Sequence, residues 1–232
     1  MDKPKFFDLD YKARQDVIVS LMDSSRPKGE FYLLLSLSIV IVATGLLMNN
    51  APAIIGGMVV APLLSPILSL AMGVVLADFH IIRRSVQTIL YALLLTVGFS
   101  LLISLFYADK QMNGEILGRS YASLGHLTIA IASGVAAAFA LALPNISNTI
   151  TGIAVSVSLL PPLAVAGIGI GFADWRIIAG SLVLFIINLV GIVISATIVF
   201  SLYGFYPLRN KAEKELSKEE EQPISPPPKP QA

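Results

Sequence analysis

Two proline-rich stretches carry the residue types in this sequence that could bind a polar ligand. The first covers residues 57–66 and the second covers residues 152–163. A proline inside a helix lacks an N–H and displaces the carbonyl four residues earlier, so each stretch should leave backbone carbonyls free. Such carbonyls, with nearby serine hydroxyls, can replace part of the hydration shell of a solute or an ion. The sequence therefore predicts a polar site built from uncharged oxygen atoms.

The candidate binding residues are the prolines, the residues whose carbonyls they would free, and neighbouring polar side chains. Asparagines precede each stretch, where they could line a pathway or cap the next helix, and capping is the favoured role. An alternative for the whole pattern is a pair of kinked helices that pack closely. The candidate residues are Met58, Pro62, Ser65, Pro66, Asn49, Asn145, Val157, Ser158, Pro161 and Pro162.

The elements that must position these residues are apolar helices. The 232 residues are 55% hydrophobic and only 13% charged, whereas soluble domains average about 25% charged residues. A membrane-spanning helix needs about 20 apolar residues, and about six stretches qualify or nearly qualify. They are residues 31–48, 53–77, 86–106, 127–143, 149–172 and 177–203. We predict an all-α membrane protein, with re-entry of 53–77 or 149–172 as the alternative to full spanning.

The distribution of basic residues predicts the orientation. Most Lys and Arg residues lie before the first span, after the second or after the sixth. The positive-inside rule then places both termini in the cytoplasm and the chain in a bacterial-type cytoplasmic membrane. The predicted divisions are a cytoplasmic segment with an amphipathic helix, two helical units, the loop between them, and a charged, proline-rich disordered tail. Their bounds are 1–30, 31–107, 108–126, 127–203 and 204–232.

The two helical units align without gaps at an offset of 96 residues. Asn49 falls on Asn145, Pro66 on Pro162, and the Ala-Asp pair at 77–78 on the pair at 173–174. Three spans per unit mean that the second unit enters the membrane from the opposite side. We therefore predict two inverted three-helix repeats with a proline-broken second helix in each, a recurring plan of transporters.

The remaining polar residues favour structural roles. Asp78 and Asp174 are interpreted as N-caps of the helices that follow, and Asn188 as an amide that joins neighbouring helices. His80 and His126 are predicted on opposite membrane faces, which disfavours a shared metal site or catalytic triad. We expect no catalytic site, no metal and no cofactor, and the net charge of +1 gives no indication of nucleic-acid binding.

The motifs at residues 57–66 and 152–163 resemble the two hallmarks of a prokaryotic family of hydrophobic membrane proteins, domain of unknown function 389. The likeness covers roughly residues 31–203. It implies a bacterial-type membrane protein and brings no established activity.

Two functions are compatible with these patterns. The first is a transporter or channel for a small polar solute or ion, with its site between the proline-broken helices at mid-membrane. The alternative is a non-transporting scaffold, assembly factor or sensor that acts through its cytoplasmic ends. The expected partners are the lipid bilayer, a small polar solute or ion, and a second copy of the chain in a homodimer or larger homo-oligomer.

Overall fold

The structure is a computed structural model that describes residues 17–19, 21, 27–107, 111–142 and 148–205, with the side chains of 148–158 left out. Most of the predicted N-terminal segment at residues 1–30, the C-terminal tail from 206 onward and Asn145 lie outside the described residues. Of the N-terminal segment, Ile18 and Leu21 are buried against the bundle. The Ser69 hydroxyl donates a hydrogen bond of 2.9 Å to the Leu21 carbonyl.

The described part of the chain is helical and contains no strand. Four helices are long and apolar enough to cross a membrane: α1 Gly29–Leu47, α4 Phe79–Phe106, α6 Leu124–Ala142 and α8 Trp175–Leu202. The bent pair of α2 Ala51–Val60 and α3 Leu64–Leu76 is a fifth candidate span. These helices begin and end within a few residues of the predicted spans, except that α4 begins seven residues earlier. The helices are α1 Gly29–Leu47, α2 Ala51–Val60, α3 Leu64–Leu76, α4 Phe79–Phe106, α5 Gly114–Leu117, α6 Leu124–Ala142, α7 Asn148–Gly171 and α8 Trp175–Leu202.

The turns before α4 and α8 share one local structure. The Asp78 carboxylate accepts hydrogen bonds from two backbone N–H groups of the first turn of α4, and Asp174 does the same for α8. Each aspartate follows an alanine in the left-handed region, Ala77 at φ 51° and Ala173 at φ 54°. The predicted capping by both aspartates is confirmed. Each carboxylate accepts hydrogen bonds from N–H groups that have no partner within the first turn of the helix.

The bend between α2 and α3 follows from Pro62. A residue before proline is pushed out of the helical region, and Ala61 is accordingly extended at φ −70° and ψ 121°. The two helices meet at 57°. Pro66 is the third residue of α3 and does not interrupt it, because an N–H in the first turn of a helix has no partner within that helix.

The prediction of a proline-broken second helix in both units is wrong for the second unit. Helix α7 runs unbroken through Pro161 and Pro162. Adjacent prolines confine the missing N–H groups to one turn, and membrane helices tolerate such defects where neighbouring elements compensate. The bend in α2–α3 has a compensating donor on α1, since the Ser38 hydroxyl donates 2.6 Å to the Gly57 carbonyl. The position on α6 that matches Ser38 at the 96-residue offset is Gly134, which has no hydroxyl.

Small residues bring the long helices close together and reveal their relative directions. A β-carbon on Gly167 of α7 would lie 2.4 Å from the Val97 carbonyl oxygen, and one on Gly171 would lie 1.9 Å from the Ser104 hydroxyl oxygen. The residue numbers of the contacting positions increase together in both helices, so α4 and α7 run in the same direction. Helices α6 and α8 also run parallel to each other, because Gly191 meets Ala130 and Gly134 meets Ser195.

The outward faces of the long helices are apolar. Large side chains such as Leu37 of α1, Leu94 of α4 and Ile186 of α8 are between 51% and 58% exposed. Continuous apolar faces of this kind are unusual on soluble monomers and are expected of helices in contact with lipid.

Candidate functional site

A cavity of about 270 Å³ lies between the segment that follows α5 and the helices α6, α7 and α8. Three of its lining residues are polar and the others are apolar or glycine. The described lining residues are Gly118, Arg119, His126, Ile129, Pro162, Leu184 and Asn188.

The cavity reaches from one end of the bundle to the middle of its helices. Gly118 and Arg119 lie in the connection between helices, whereas Asn188 is 3% exposed and is the fourteenth of the 28 residues of α8. At 1.5 Å per residue, Asn188 lies about 20 Å from the start of α8. Pro162 lies about 14 Å from the end of α7 by the same measure. The inner end of the cavity, formed by Pro162 and Asn188, is therefore at mid-membrane depth for helices that span a bilayer of about 30 Å.

The outer end of the cavity is polar. Arg119 forms an ion pair with the Glu115 carboxylate one turn earlier, and both side chains are about one quarter exposed. Arg119 also donates a hydrogen bond of 2.8 Å to the Glu115 carbonyl. The His126 ring lies 2.8 Å from the Ser123 hydroxyl through Nδ1 and meets the Tyr121 ring edge-on. The one cationic side chain among the described lining residues thus has an anionic partner beside it.

The segment that forms this outer end is held by α1 and α8. The Asn113 side chain donates a hydrogen bond of 2.8 Å to the Leu46 carbonyl at the end of α1. Asn49 accepts a hydrogen bond of 3.2 Å from the Glu115 N–H. On the other side, the Ser120 carbonyl approaches α8 so closely that a β-carbon on Gly180 would lie 1.8 Å from it. These contacts fix the position of Arg119 over the cavity.

The candidate site residues predicted from the sequence do not come together at one site in the structure. Pro162 is the one member of those ten that appears among the described residues lining the cavity. Pro62 and Ser65 are partly buried at the bend between α2 and α3, while Met58 and Pro66 are buried there. The carbonyl of Met58 is not free as predicted, because it accepts a hydrogen bond of 3.2 Å from the Ala61 N–H.

The other candidates have a structural position or lie outside the described side chains. Asn49 is the left-handed residue that follows α1, at φ 53°, and its neighbour Asn50 caps α2 through the Ala53 N–H. Pro161 is buried within α7. Val157 and Ser158 lie in the part of α7 whose side chains are not described, and Asn145 lies outside the described residues. The roles of these residues in binding stay predictions.

Sequence reasoning did not assign Arg119, His126 or Asn188 to one site. Asn188 had a usable signal, since a polar residue halfway along an apolar span is costly and often functional. Arg119 and His126 gave no comparable signal, because nothing in the sequence places a connecting segment over a particular helix.

The fold and the cavity define an all-helical protein of the membrane type, with a cavity of mixed polar and apolar lining that enters its helical bundle. The family model described as Domain of unknown function (DUF389) matches residues 58–194. This is more than half of the chain, and the chain belongs to that family. The match agrees with the resemblance inferred from the two proline motifs.

A relative from an archaeon extends the comparison. The uncharacterized protein MJ0678 of Methanocaldococcus jannaschii is 29% identical over 205 residues, which are 88% of this chain and 64% of that protein. This chain therefore spans a little under two thirds of the length of that relative. No solved structure gives a significant match.

Proposed function

We propose that this protein is a membrane transporter or channel for a small polar solute, built from two inverted three-helix units. In this proposal the solute enters the cavity beside Arg119 and reaches a site at Pro162 and Asn188. The observation that carries the proposal is the depth of the cavity, since close packing of apolar helices does not require a cavity that reaches their middle and ends at a buried amide. Polar groups at that depth are a common mark of solute pathways.

The directions of the helices support an inverted repeat. The hydrogen bond between Asn113 and Leu46 brings the chain beyond α4 to the end of α1. The seven residues from Phe106 to Asn113 reach at most about 24 Å, whereas the 28 residues of α4 are about 42 Å long. Helix α4 therefore starts at the far end of the bundle, and α2–α3 must cross to reach it, which argues against re-entry. Helices α1 and α4 then run one way, and α6 and α8 run the opposite way.

The local structures of the two units support duplication. Besides the paired aspartate caps, a β-carbon on Gly73 or Gly169 would meet the matching isoleucine of the next helix, Ile82 or Ile178, at 3.0 Å and 3.1 Å. The third helix of each unit also packs against the second helix of the other, α4 on α7 and α8 on α3. Reciprocal packing of this kind is expected when a twofold axis lies in the membrane plane.

The two units differ in the side chains at the positions that line the cavity. The positions that match Pro162, Leu184 and Asn188 at the 96-residue offset are Pro66, Thr88 and Ala92. Both sets of residues are buried, but the buried amide of Asn188 is replaced by a methyl group in the first unit. In the proposed function this cavity is open on one side of the membrane, as alternating access requires. By the distribution of basic residues, the open side faces away from the cytoplasm.

Access to Asn188 from water tests this function directly. The chain contains no cysteine, so single cysteines can be introduced without removing native ones. We expect Asn188→Cys in proteoliposomes to react with a small, charged, membrane-impermeant thiol reagent. The matched control is Val190→Cys, two residues along α8 and 48% exposed on its lipid-facing side. A thiol in hydrocarbon does not ionise, so the control should react far more slowly.

Slow labelling of Asn188→Cys would contradict the proposal. If Asn188→Cys reacts no faster than Val190→Cys while both proteins elute as the wild type does in detergent, the cavity is not a water-accessible path. The proposal would then be wrong, and the alternative of a scaffold or sensor acting through the chain ends would take its place.

A further inference from the structure

The chemistry of the cavity indicates the class of solute, an inference that rests on the proposed function. The charged groups near the cavity are few. Arg119 is the one permanently charged residue among the described lining residues, and Glu115 is ion-paired with it. His126 also lines the cavity and contacts Ser123 and Tyr121. The outer end therefore holds one cation and one anion in contact, which leaves little net charge to attract an ion.

The inner end of the cavity is unsuited to an ion. Ile129 and Leu184 contribute apolar wall, Pro162 has no N–H to offer, and the Asn188 amide is neutral. An ion without a counter-charge pays a desolvation cost of several kcal/mol on entering a protein interior. A single amide and apolar walls return little of that cost. An uncharged solute with hydroxyl or amide groups loses much less, and it can both donate to and accept from one asparagine side chain.

The size of the cavity limits the solute. Its 270 Å³ corresponds to about nine water molecules at roughly 30 Å³ each. Pockets for drug-sized ligands start at about 300 Å³, so this cavity, which is slightly smaller, fits a small molecule of up to about nine heavy atoms if each occupies the volume of a water molecule. We propose that the cavity takes a small uncharged solute with hydrogen-bonding groups, such as a short polyol or a small amide, and excludes ions.

Flux measurements with two probe classes test this inference. Proteoliposomes are exposed to gradients of glycerol and urea as uncharged probes, and ionic conductance is measured in planar bilayers with potassium chloride and sodium acetate. We expect glycerol or urea flux at least several-fold above that of protein-free vesicles, reduced to the background by Asn188→Leu. No ionic conductance above background is expected.

A charge variant sharpens the test. Glu115→Gln removes the partner of Arg119 and leaves a net positive charge at the outer end. We expect this variant to gain anion conductance while the wild type has none. The matched control is Glu30→Gln, which removes one carboxylate at the exposed start of α1 and should conduct no more than the wild type.

The outcomes separate the inference from the function on which it rests. Ionic conductance in the wild type that Asn188→Leu abolishes would keep the transport function and overturn the choice of an uncharged solute. Absence of any glycerol or urea flux that depends on Asn188 would also overturn that choice. Labelling of Asn188→Cys then decides separately whether the cavity is still a solute path.

Discussion

Adding a side chain at Gly134 should disrupt the close contact between α6 and α8. A β-carbon at this position would lie 2.6 Å from the Ile192 carbonyl oxygen and 2.8 Å from its α-carbon, whereas ordinary contacts begin at 3.4 Å. Because two of the nearest atoms belong to the α8 backbone, a side-chain rotation cannot relieve the overlap. We expect α6 and α8 to move apart in Gly134→Ala by somewhat less than 1 Å.

The expected loss of stability follows from two opposing terms. Overpacking of a close contact costs about 1–3 kcal/mol, and replacing glycine by alanine within a helix returns about 1 kcal/mol. The net destabilisation of Gly134→Ala should be about 0–2 kcal/mol, or a fall in Tm of up to about 8 °C for a chain of this size, and about 1–3 kcal/mol relative to a glycine-to-alanine change without overlap. Gly98→Ala is the matched control, since nothing lies within 4 Å of its added β-carbon. It should leave Tm unchanged or raise it.

The assay is thermal denaturation of each purified variant in a mild detergent, followed by the loss of the monodisperse peak in size-exclusion chromatography. Equal Tm values for Gly134→Ala and Gly98→Ala would refute the close packing of α6 on α8. The same result would contradict the cavity as described, because Ile129 on α6 and Asn188 on α8 both line it.

Four further substitutions test the hydrogen bonds that shape the bundle, the first three by the same thermal assay and the fourth by cysteine labelling. Asp78→Ala and Asp174→Ala should each cost about 1 kcal/mol by loss of an N-cap, and the duplicated structure would be doubtful if only one of them did so. Ser38→Ala should also cost about 1 kcal/mol, because it leaves the Gly57 carbonyl without its donor; an unchanged Tm would mean that water or another group replaces the hydroxyl. Asn113→Ala should release the segment above the cavity from α1 and speed the labelling of Asn188→Cys, whereas slower labelling would contradict the anchoring role.

The sequence was sufficient to predict the helices and their caps. Apolar runs near 20 residues have few alternatives to a helix in lipid, which explains the agreement for α1, α6 and α8. The cap positions of Asp78 and Asp174 followed from a polar residue beside the start of an apolar run. These features depend on residues that are close in the chain, so periodicity and composition contain the necessary information.

The cavity could not be predicted in the same way because it depends on packing between distant parts of the chain. Arg119 belongs to it because Asn113 and Asn49 hold the segment after α4 on the end of α1. The small residue Gly180 admits the Ser120 carbonyl on the other side. Neither contact has a pattern of spacing that separates it from an ordinary loop contact. Only Asn188 could have been selected beforehand, as an amide halfway along an apolar helix.

The different shapes of α2–α3 and α7 follow from the positions of the prolines and from the neighbouring helix. Pro66 matches Pro162 at the 96-residue offset, whereas Pro62, which causes the bend, matches Ser158. A break in a membrane helix is tolerated when another group satisfies the released carbonyl, and Ser38 supplies that group to Gly57. The matching position on α6 is Gly134, which instead brings α6 against Ser195 of α8. The second unit thus lacks both the proline that causes the bend and the hydroxyl that supports it, and it has a close helix contact in their place. The two helical units therefore differ in shape, as the proposed transporter with one open side requires.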